Sequence, residues 1–174
     1  MKSNLTNIIL ISFIFLGLFF WNEAQSDTTK PLNVKPGFYF KMQIVEKGRS
    51  LVKTFECNDC HTAGYLQSKG NMPEDQWLTG ESLGWRGPLG TTYGVNLRLL
   101  IDSLTEAEWV EKSKVLASRP PMPHVILNAM SNEDLQAIYQ FIRYLGPSGK
   151  PAPAYVPPGQ EPIRPPATIP KPPK

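Results

Sequence analysis

The sequence predicts one helical domain, set between a hydrophobic N-terminal segment and a proline-rich C-terminal segment. Residues 44–55 and 132–145 carry apolar residues at helical spacing, and a capping-box pattern opens a third helix at Thr105. In a chain of 174 residues whose two ends are unsuited to a folded core, there is room for a single compact core. We place that domain at residues 44–146.

Residues 1–26 have the pattern of a secretory signal peptide. Lys2 supplies the positive start, residues 8–21 are almost entirely apolar, and Ala24-Gln25-Ser26 offers small residues for cleavage. Fourteen helical residues cover about 21 Å, less than the bilayer core of about 30 Å. We therefore predict export to the periplasm or the outer face of the cytoplasmic membrane. An uncleaved membrane anchor is the alternative, because Leu5 extends the apolar stretch.

The next two segments lead into the domain. Residues 27–43 contain Pro31, Pro36 and Gly37 and predict an extended lead-in. A helix is then predicted to end just before Cys57, with five apolar residues on one side: Ile44, Val45, Leu51, Val52 and Phe55. Gly48 lowers the helix propensity by about 1 kcal/mol relative to alanine. It indicates either close approach by another helix or a weak point.

Residues 62–100 combine many glycines with aromatic residues, among them Trp77, Trp85 and Tyr93. Such a long loop without its own secondary structure is unusual in a compact domain unless it wraps something. A large flat cofactor would explain it.

Two further helices follow from capping signals. The first runs from Thr105 to about residue 117 and is stopped by the prolines at 120 and 121. The second is capped by Ser131 and ended by Gly146 and Pro147. Its apolar stripe consists of Leu135, Ile138, Tyr139, Ile142 and Leu145.

Residues 147–174 include 11 prolines among 28 residues, too many for a helix or a sheet. The segment is either a tether or an extended arm that lies over the domain through Tyr155, Val156 and Ile163. The sequence leaves both interpretations open.

The motif Cys57-Asn58-Asp59-Cys60-His61 is the pattern to which haem c is attached. Two thiols three positions apart can bond covalently to the two vinyl groups of one haem, and His61 then becomes the proximal iron ligand. A thioredoxin-like site wants a βαβ context, and a zinc site would use every cysteine and histidine of the chain. The sequence therefore predicts one covalently attached haem.

The sixth iron ligand is predicted to be Met122, in Pro120-Pro121-Met122-Pro123. Prolines on both sides keep the backbone extended, which suits a segment that presses one side chain onto a haem face. His124, as a bis-histidine ligand, is the first alternative. The other possibilities are Met130, which we expect to be a hydrophobic staple residue, Met72, Met42 and an open site.

With these motifs the chain resembles the class I c-type cytochromes, as an exported bacterial monohaem member. The matching residues are those at 57–61, Gly87-Pro88-Leu89-Gly90, 120–123 and the opening of the last helix at 130–135. The resemblance implies an all-α cytochrome c fold of about four to five helices, with long loops wrapped around the haem. It also implies that Gly48 meets the face of the last helix that bears Leu135 and Tyr139.

The same resemblance suggests residues for the haem pocket. The Pro88 carbonyl would accept a hydrogen bond from the free ring nitrogen of His61, although a plain turn at Pro88 is the alternative. Trp85, Arg86, Tyr93 and Asn96 are candidates for contacts with the haem propionates. Arg86 is included because a guanidinium matches a carboxylate in a bidentate manner.

Histidine and methionine on the iron leave no open position, so the expected role is one-electron transfer between redox proteins rather than catalysis. No small-molecule substrate is expected. A formal charge of +3, from 18 Lys and Arg against 15 Asp and Glu, is too small to indicate nucleic-acid binding. The alternatives are a cytochrome subunit of a larger dehydrogenase or oxidase, and a haem enzyme or gas sensor with an open sixth position.

Overall fold

The structure, a computed structural model, describes residues 36–162 together with 167 and 168. The predicted signal peptide, residues 27–35 of the predicted lead-in, and Ile163 lie outside the described residues. In the part that is described, no helix combines the length and the apolar character needed to cross a membrane.

Helices dominate the described part of the chain, which confirms its predicted helical character. They are α1 (Pro36–Thr54), α2 (Cys57–His61), α3 (Leu97–Asp102), α4 (Glu106–Lys114), α5 (His124–Ala129) and α6 (Asn132–Leu145), with a 3-10 turn at Glu74–Gln76. The strands are β1 (Trp85–Gly87), β2 (Gly90–Thr92) and β3 (Ala167–Thr168). The prediction of an all-α fold was therefore incomplete, and the described residues contain six helices rather than four to five. The prediction of a loop without secondary structure at residues 62–100 was wrong, because the 3-10 turn, β1, β2 and the start of α3 lie there.

The small sheet has the order β2-β1-β3. β1 and β2 are antiparallel and joined by the two-residue turn Pro88-Leu89, while β3 runs parallel to β1. Gly90 follows the turn with a φ of +92°, a conformation that glycine adopts without steric strain. Strands of two or three residues are too short for a readable alternation of apolar and polar residues, which is why the sequence did not indicate them.

Helix α1 begins at Pro36, eight residues before the predicted start, so the lead-in is helical rather than extended from Pro36 onwards. Proline suits the first position of a helix, because its missing amide donor has no intrahelical acceptor there. The helix ends at Thr54, just before Cys57 as predicted.

Gly48 is the point of closest contact between α1 and α6. A Cβ atom at this position would lie 2.6 Å from the Ala137 carbonyl carbon and 2.7 Å from the Phe141 Cβ. Close approach by another helix is thus confirmed, but the facing residues are Ala137 and Phe141 rather than Leu135 and Tyr139. The core around this contact includes Val45, Val52, Leu135, Ile138, Phe141 and Ile142.

Helix α6 has the predicted caps. The Ser131 hydroxyl accepts a hydrogen bond from the Asp134 amide at 3.1 Å, and Gly146 ends the helix with a φ of +70°. Ala137 and Phe141 are buried in addition to most of the predicted stripe. The buried face is wider than predicted, since the helix packs against α1 on one side and against α3 and α4 on others.

The predicted capping box at Thr105 is present. The Thr105 hydroxyl accepts from the Glu108 amide at 3.3 Å, and the Glu108 carboxylate accepts from the Thr105 amide at 2.8 Å. Helix α4 ends at Lys114, about three residues earlier than predicted. It is anchored to α6 by Trp109, whose Nε1 donates to the Leu135 carbonyl at 2.8 Å.

The proline-rich segment is an arm rather than a tether up to Pro162. Val156 exchanges two backbone hydrogen bonds with Thr91 of β2, of 2.8 and 3.0 Å. The Asn96 side-chain amide donates to the carbonyls of Ser148 and Lys150, at 2.8 and 3.1 Å. These hydrogen bonds attach the arm to β2 and to the start of α3.

Candidate functional site

The cysteine motif forms a short helix of its own. Helix α1 ends at Thr54, and the chain turns through Glu56, whose φ of +54° is left-handed, into α2. Cys57 and Cys60 are three residues apart on this turn of helix, so their side chains emerge on one side. Both thiols are free, and Cys57 packs against the hydrophobic core.

Burial changes the acidity of both thiols. It raises the pKa of Cys57 to about 11, and it also raises the pKa of Cys60 above its usual value. Removing a group from water disfavours its charged form, here the thiolate. The shift is opposite to the lowered pKa of a nucleophilic cysteine.

His61, the last residue of α2, is buried with 8% of its surface exposed. Its Nδ1 lies 2.8 Å from the Val95 carbonyl oxygen. A carbonyl can only accept, so Nδ1 carries the proton and Nε2 keeps its lone pair. Burial lowers the pKa of His61, which favours this neutral tautomer. A histidine that ligates a metal has this arrangement, with one nitrogen donating to a carbonyl and the other available.

The carbonyl bound by His61 belongs to Val95, so the prediction that Pro88 would supply it was wrong. Pro88 is exposed in the turn between β1 and β2, which is the plain-turn alternative. The segment that reaches His61 instead includes Gly94. A Cβ atom there would lie 2.7 Å from the Cys60 carbonyl carbon, so only glycine lets this backbone approach α2.

Two backbone hydrogen bonds hold the Gly94 segment beside α2. The Gly80 amide donates to the His61 carbonyl at 2.8 Å, and the Glu81 amide donates to the Gly94 carbonyl at 2.9 Å. Residues 80–81 thus connect α2 to the segment that orients His61. Sequence reasoning missed Gly94 and Val95, because the only signal was one glycine among the many in residues 62–100.

A buried hydrogen-bond network involves α2 and the residue that follows it. The Thr62 hydroxyl donates to Asn58 Oδ1 at 2.7 Å and accepts from the Leu78 amide at 2.8 Å. Asn58 and Thr62 are each 1% exposed. Asn58 Nδ2 is buried and has no hydrogen-bond partner among the residues that the structure describes.

Two predicted pocket residues bind groups of their own chain. Arg86, on β1, makes a bidentate pair with Glu161, with both N–O distances 2.6 Å. Asn96 caps α3 by accepting from the Leu99 amide at 3.0 Å and also holds the proline-rich arm. The geometry expected of Arg86 is therefore present, but with a protein carboxylate as its partner.

The other two predicted pocket residues, Trp85 and Tyr93, are half-buried. Tyr93 packs on Gly84, where a Cβ atom would lie 2.7 Å from Tyr93 Cε1. Trp85 pairs with Thr92 across the two antiparallel strands. Trp85 therefore belongs to β1, and Tyr93 directly follows β2.

Met122 lies in residues 116–123, which are neither helix nor strand and which we call the Met122 segment. Its side chain is half-buried, and the Pro120 carbonyl of the segment accepts from the Thr92 hydroxyl of β2 at 2.9 Å. His124 begins α5, with its Nδ1 3.2 Å from the Ser118 hydroxyl. The structure thus ties the Met122 segment to the sheet.

The other methionines have different surroundings. Met130, 6% exposed, is part of the core beside the Ser131 cap, and Met72 packs against that core. Met42 lies half-buried on α1. Met122 differs from these three in having a proline on each side, Pro121 and Pro123.

The donor set of α2 fits a haem attached through two thioethers. Two free thiols and an imidazole with an available Nε2 lie on one short helix, and Val95, whose carbonyl binds His61, is 46% exposed. Across residues 36–162, no three His, Cys, Asp or Glu side chains cluster to hold a metal. A porphyrin supplies four ligands itself, so axial side chains suffice.

Comparisons of the chain with protein-family models, with curated proteins and with solved structures found no match.

Proposed function

We propose that the chain is an exported monohaem c-type cytochrome that transfers single electrons between redox proteins. The observation that carries this proposal is the arrangement of α2. It places Cys57 and Cys60 on one side of a single helical turn and follows them with a buried His61, whose Nδ1 is already bound.

Each residue of α2 has a role in this proposal. Cys57 and Cys60 hold the cofactor through thioether bonds. The cofactor can therefore be lost only when these covalent bonds are cleaved. His61 is the proximal ligand through Nε2, while the Val95 carbonyl fixes the ring orientation and raises the basicity of the imidazole. A haem bound there supplies reversible one-electron chemistry at its iron.

Met122 is the proposed sixth ligand. Its segment has no helical or strand hydrogen bonds of its own and is attached to β2, whereas Met130 is committed to the core. With His61 and Met122 both holding the iron, no position would be left for an external ligand, so the chain would act as an electron carrier and not as an enzyme. Its partners would be redox proteins that associate weakly and through a small interface.

A spectrum of the exported, purified protein tests the proposal. We expect a haem c spectrum that persists after denaturation, because the cofactor is covalently held, and that disappears in a Cys57→Ser, Cys60→Ser variant. The oxidised protein should show a sulfur-to-iron charge-transfer band, lost in Met122→Ala and retained in Met42→Ala. A protein without haem would refute the proposal, and carbon monoxide binding to the native reduced protein would favour an open sixth position.

A further inference from the structure

The Met122 segment is held at two points by groups outside it. The Thr92 hydroxyl donates to the Pro120 carbonyl at 2.9 Å. The Arg119 guanidinium lies over the ring of Tyr155, 3.8 Å from its centroid, in the geometry of a cation–π contact. Tyr155 belongs to the proline-rich arm, 33 residues after Met122 in the chain.

The position of Tyr155 is itself determined by the sheet. Its hydroxyl donates to the Leu89 carbonyl at 3.0 Å, in the turn between β1 and β2. The next residue, Val156, exchanges two backbone hydrogen bonds with Thr91. Gly90 leaves room for the ring, since a Cβ atom there would lie 2.9 Å from Tyr155 Cε2. The ring is therefore a fixed platform for Arg119.

The chain between Arg119 and Met122 is stiff. Pro120 and Pro121 are the only residues between them, and each has a φ restricted by its ring. Holding the Arg119 head group therefore restricts where the Met122 side chain can lie. A thioether is a weak axial ligand, so its retention on a metal depends on how well its segment is placed.

We propose that Tyr155 is a positioning residue for Met122: the arm supplies an aromatic platform that holds Arg119, and thereby keeps the thioether on the iron. This inference rests on the proposed function. It assigns the arm a role in the site rather than a role as a spacer or a docking tail.

Displacement of the thioether by imidazole tests this inference on the full-length holoprotein. Tyr155→Leu removes the ring and its hydroxyl, Tyr155→Phe removes only the hydroxyl, and Arg119→Gln removes the cation. Glu161→Gln is the matched control, because it loosens the same arm from Arg86 without touching the Met122 segment. Limited proteolysis of the arm in each variant reports whether it stays on the domain.

We expect Tyr155→Leu and Arg119→Gln to raise the apparent affinity for imidazole by about two- to tenfold, with a weaker charge-transfer band. The double variant should add little to either single variant, since both remove one contact. Tyr155→Phe should have a smaller effect and Glu161→Gln none. Loss of the band in all arm variants alike, Glu161→Gln included, would show general loosening and overturn the inference.

Failure of the inference can be told apart from failure of the proposed function. If haem is bound and the band depends on Met122, but Tyr155→Leu leaves imidazole affinity unchanged, Tyr155 has no positioning role and the cytochrome proposal stands. If the band does not depend on Met122, the inference is wrong although haem remains. A protein without haem refutes both.

Discussion

At the scale of single residues, the site depends on two sets of contacts that hold α2 and the residue after it. Thr62 directly follows His61, and its hydroxyl makes two hydrogen bonds: it donates to Asn58 Oδ1 and accepts from the Leu78 amide. Buried polar groups that lose a partner destabilise a protein more than the mean worth of a hydrogen bond suggests. Gly94 permits a backbone contact with Cys60 that no other residue would allow.

Thr62→Val is expected to destabilise the protein by about 1–3 kcal/mol, because it leaves the Leu78 amide and Asn58 Oδ1 buried without a partner. Urea denaturation of the purified protein measures this. Thr79→Val is the matched control: its hydroxyl donates to the Gln76 carbonyl in an exposed place, so its effect should stay below about 1 kcal/mol. Equal effects in the two variants would contradict the proposed importance of burial.

Gly94→Ala is expected to destabilise the protein by about 1–3 kcal/mol, because the added Cβ overlaps the Cys60 carbonyl. The Val95 carbonyl would also move away from His61, which changes the nuclear magnetic resonance signal of the proton on Nδ1. Gly37→Ala, with no atom within 4 Å of the added Cβ, should be neutral or slightly stabilising. An unchanged His61 signal in Gly94→Ala would show that the contact between Gly94 and Cys60 does not set the position of the Val95 carbonyl.

At the scale of elements, the pairing of α1 with α6 organises the domain. Gly48 allows the two helices to touch through backbone, and Lys47 pairs with Asp134 in the first turn of α6 at 2.7 Å. The Lys47 ammonium lowers the pKa of the Asp134 carboxyl, and the Ser131 hydroxyl acts in the same direction. A negative charge in the first turn of a helix also complements its dipole.

Because the pKa of Asp134 is lower in the folded state, its stabilising effect is present above the unfolded pKa of about 4 and is lost as the pH falls through the folded value. Asp134→Asn should therefore lower stability by about 0.5–1 kcal/mol at pH 7 and by progressively less below pH 4. Denaturation curves across pH measure this. Lys47→Gln in the same background should have little further effect, and additive effects would show that the pair does not interact.

At the scale of the whole molecule, the proline-rich arm joins regions that are distant in sequence. It contacts the start of α3 through Asn96, β2 through Thr91 and the Met122 segment through Arg119. The side chain of Arg98 provides a similar link, since its guanidinium donates to the carbonyls of Leu145 and Gly146 at the end of α6. Polar contacts between segments that are distant in sequence thus hold the domain together in addition to its hydrophobic core.

Removing residues 147–174 is expected to destabilise the domain by about 2–6 kcal/mol, because four hydrogen bonds to Thr91 and Asn96 are lost. Thermal denaturation followed by circular dichroism measures the effect, and the helical signal at low temperature should persist. Removing only residues 163–174 keeps those four bonds and should lower stability by less than about 1.5 kcal/mol. If removing residues 147–174 lowered the stability no more than removing residues 163–174, the arm would have no structural role.

Helices α1, α4 and α6 could be predicted because their signals are local. Helices α2, α3 and α5 were missed, because five or six residues are too few for an apolar periodicity to show. The Thr105 capping box, the Ser131 cap and the Gly146 end each depend on residues within about four positions. The start of α1 was missed, because Pro36 and Gly37 are compatible with both a turn and a first helical turn. The motif at residues 57–61 is likewise readable, because its chemistry requires five residues in order.

The sequence by itself determined three of the helices, α1, α4 and α6, and it singled out Cys57, Cys60 and His61 as a group. Only the tertiary structure decided that Val95, 34 residues away, orients His61 and that Glu161 pairs with Arg86. It also decided that the proline-rich segment is an arm. Spacing along the chain encodes contacts within a helix turn, whereas contacts between distant segments depend on how the core brings them together.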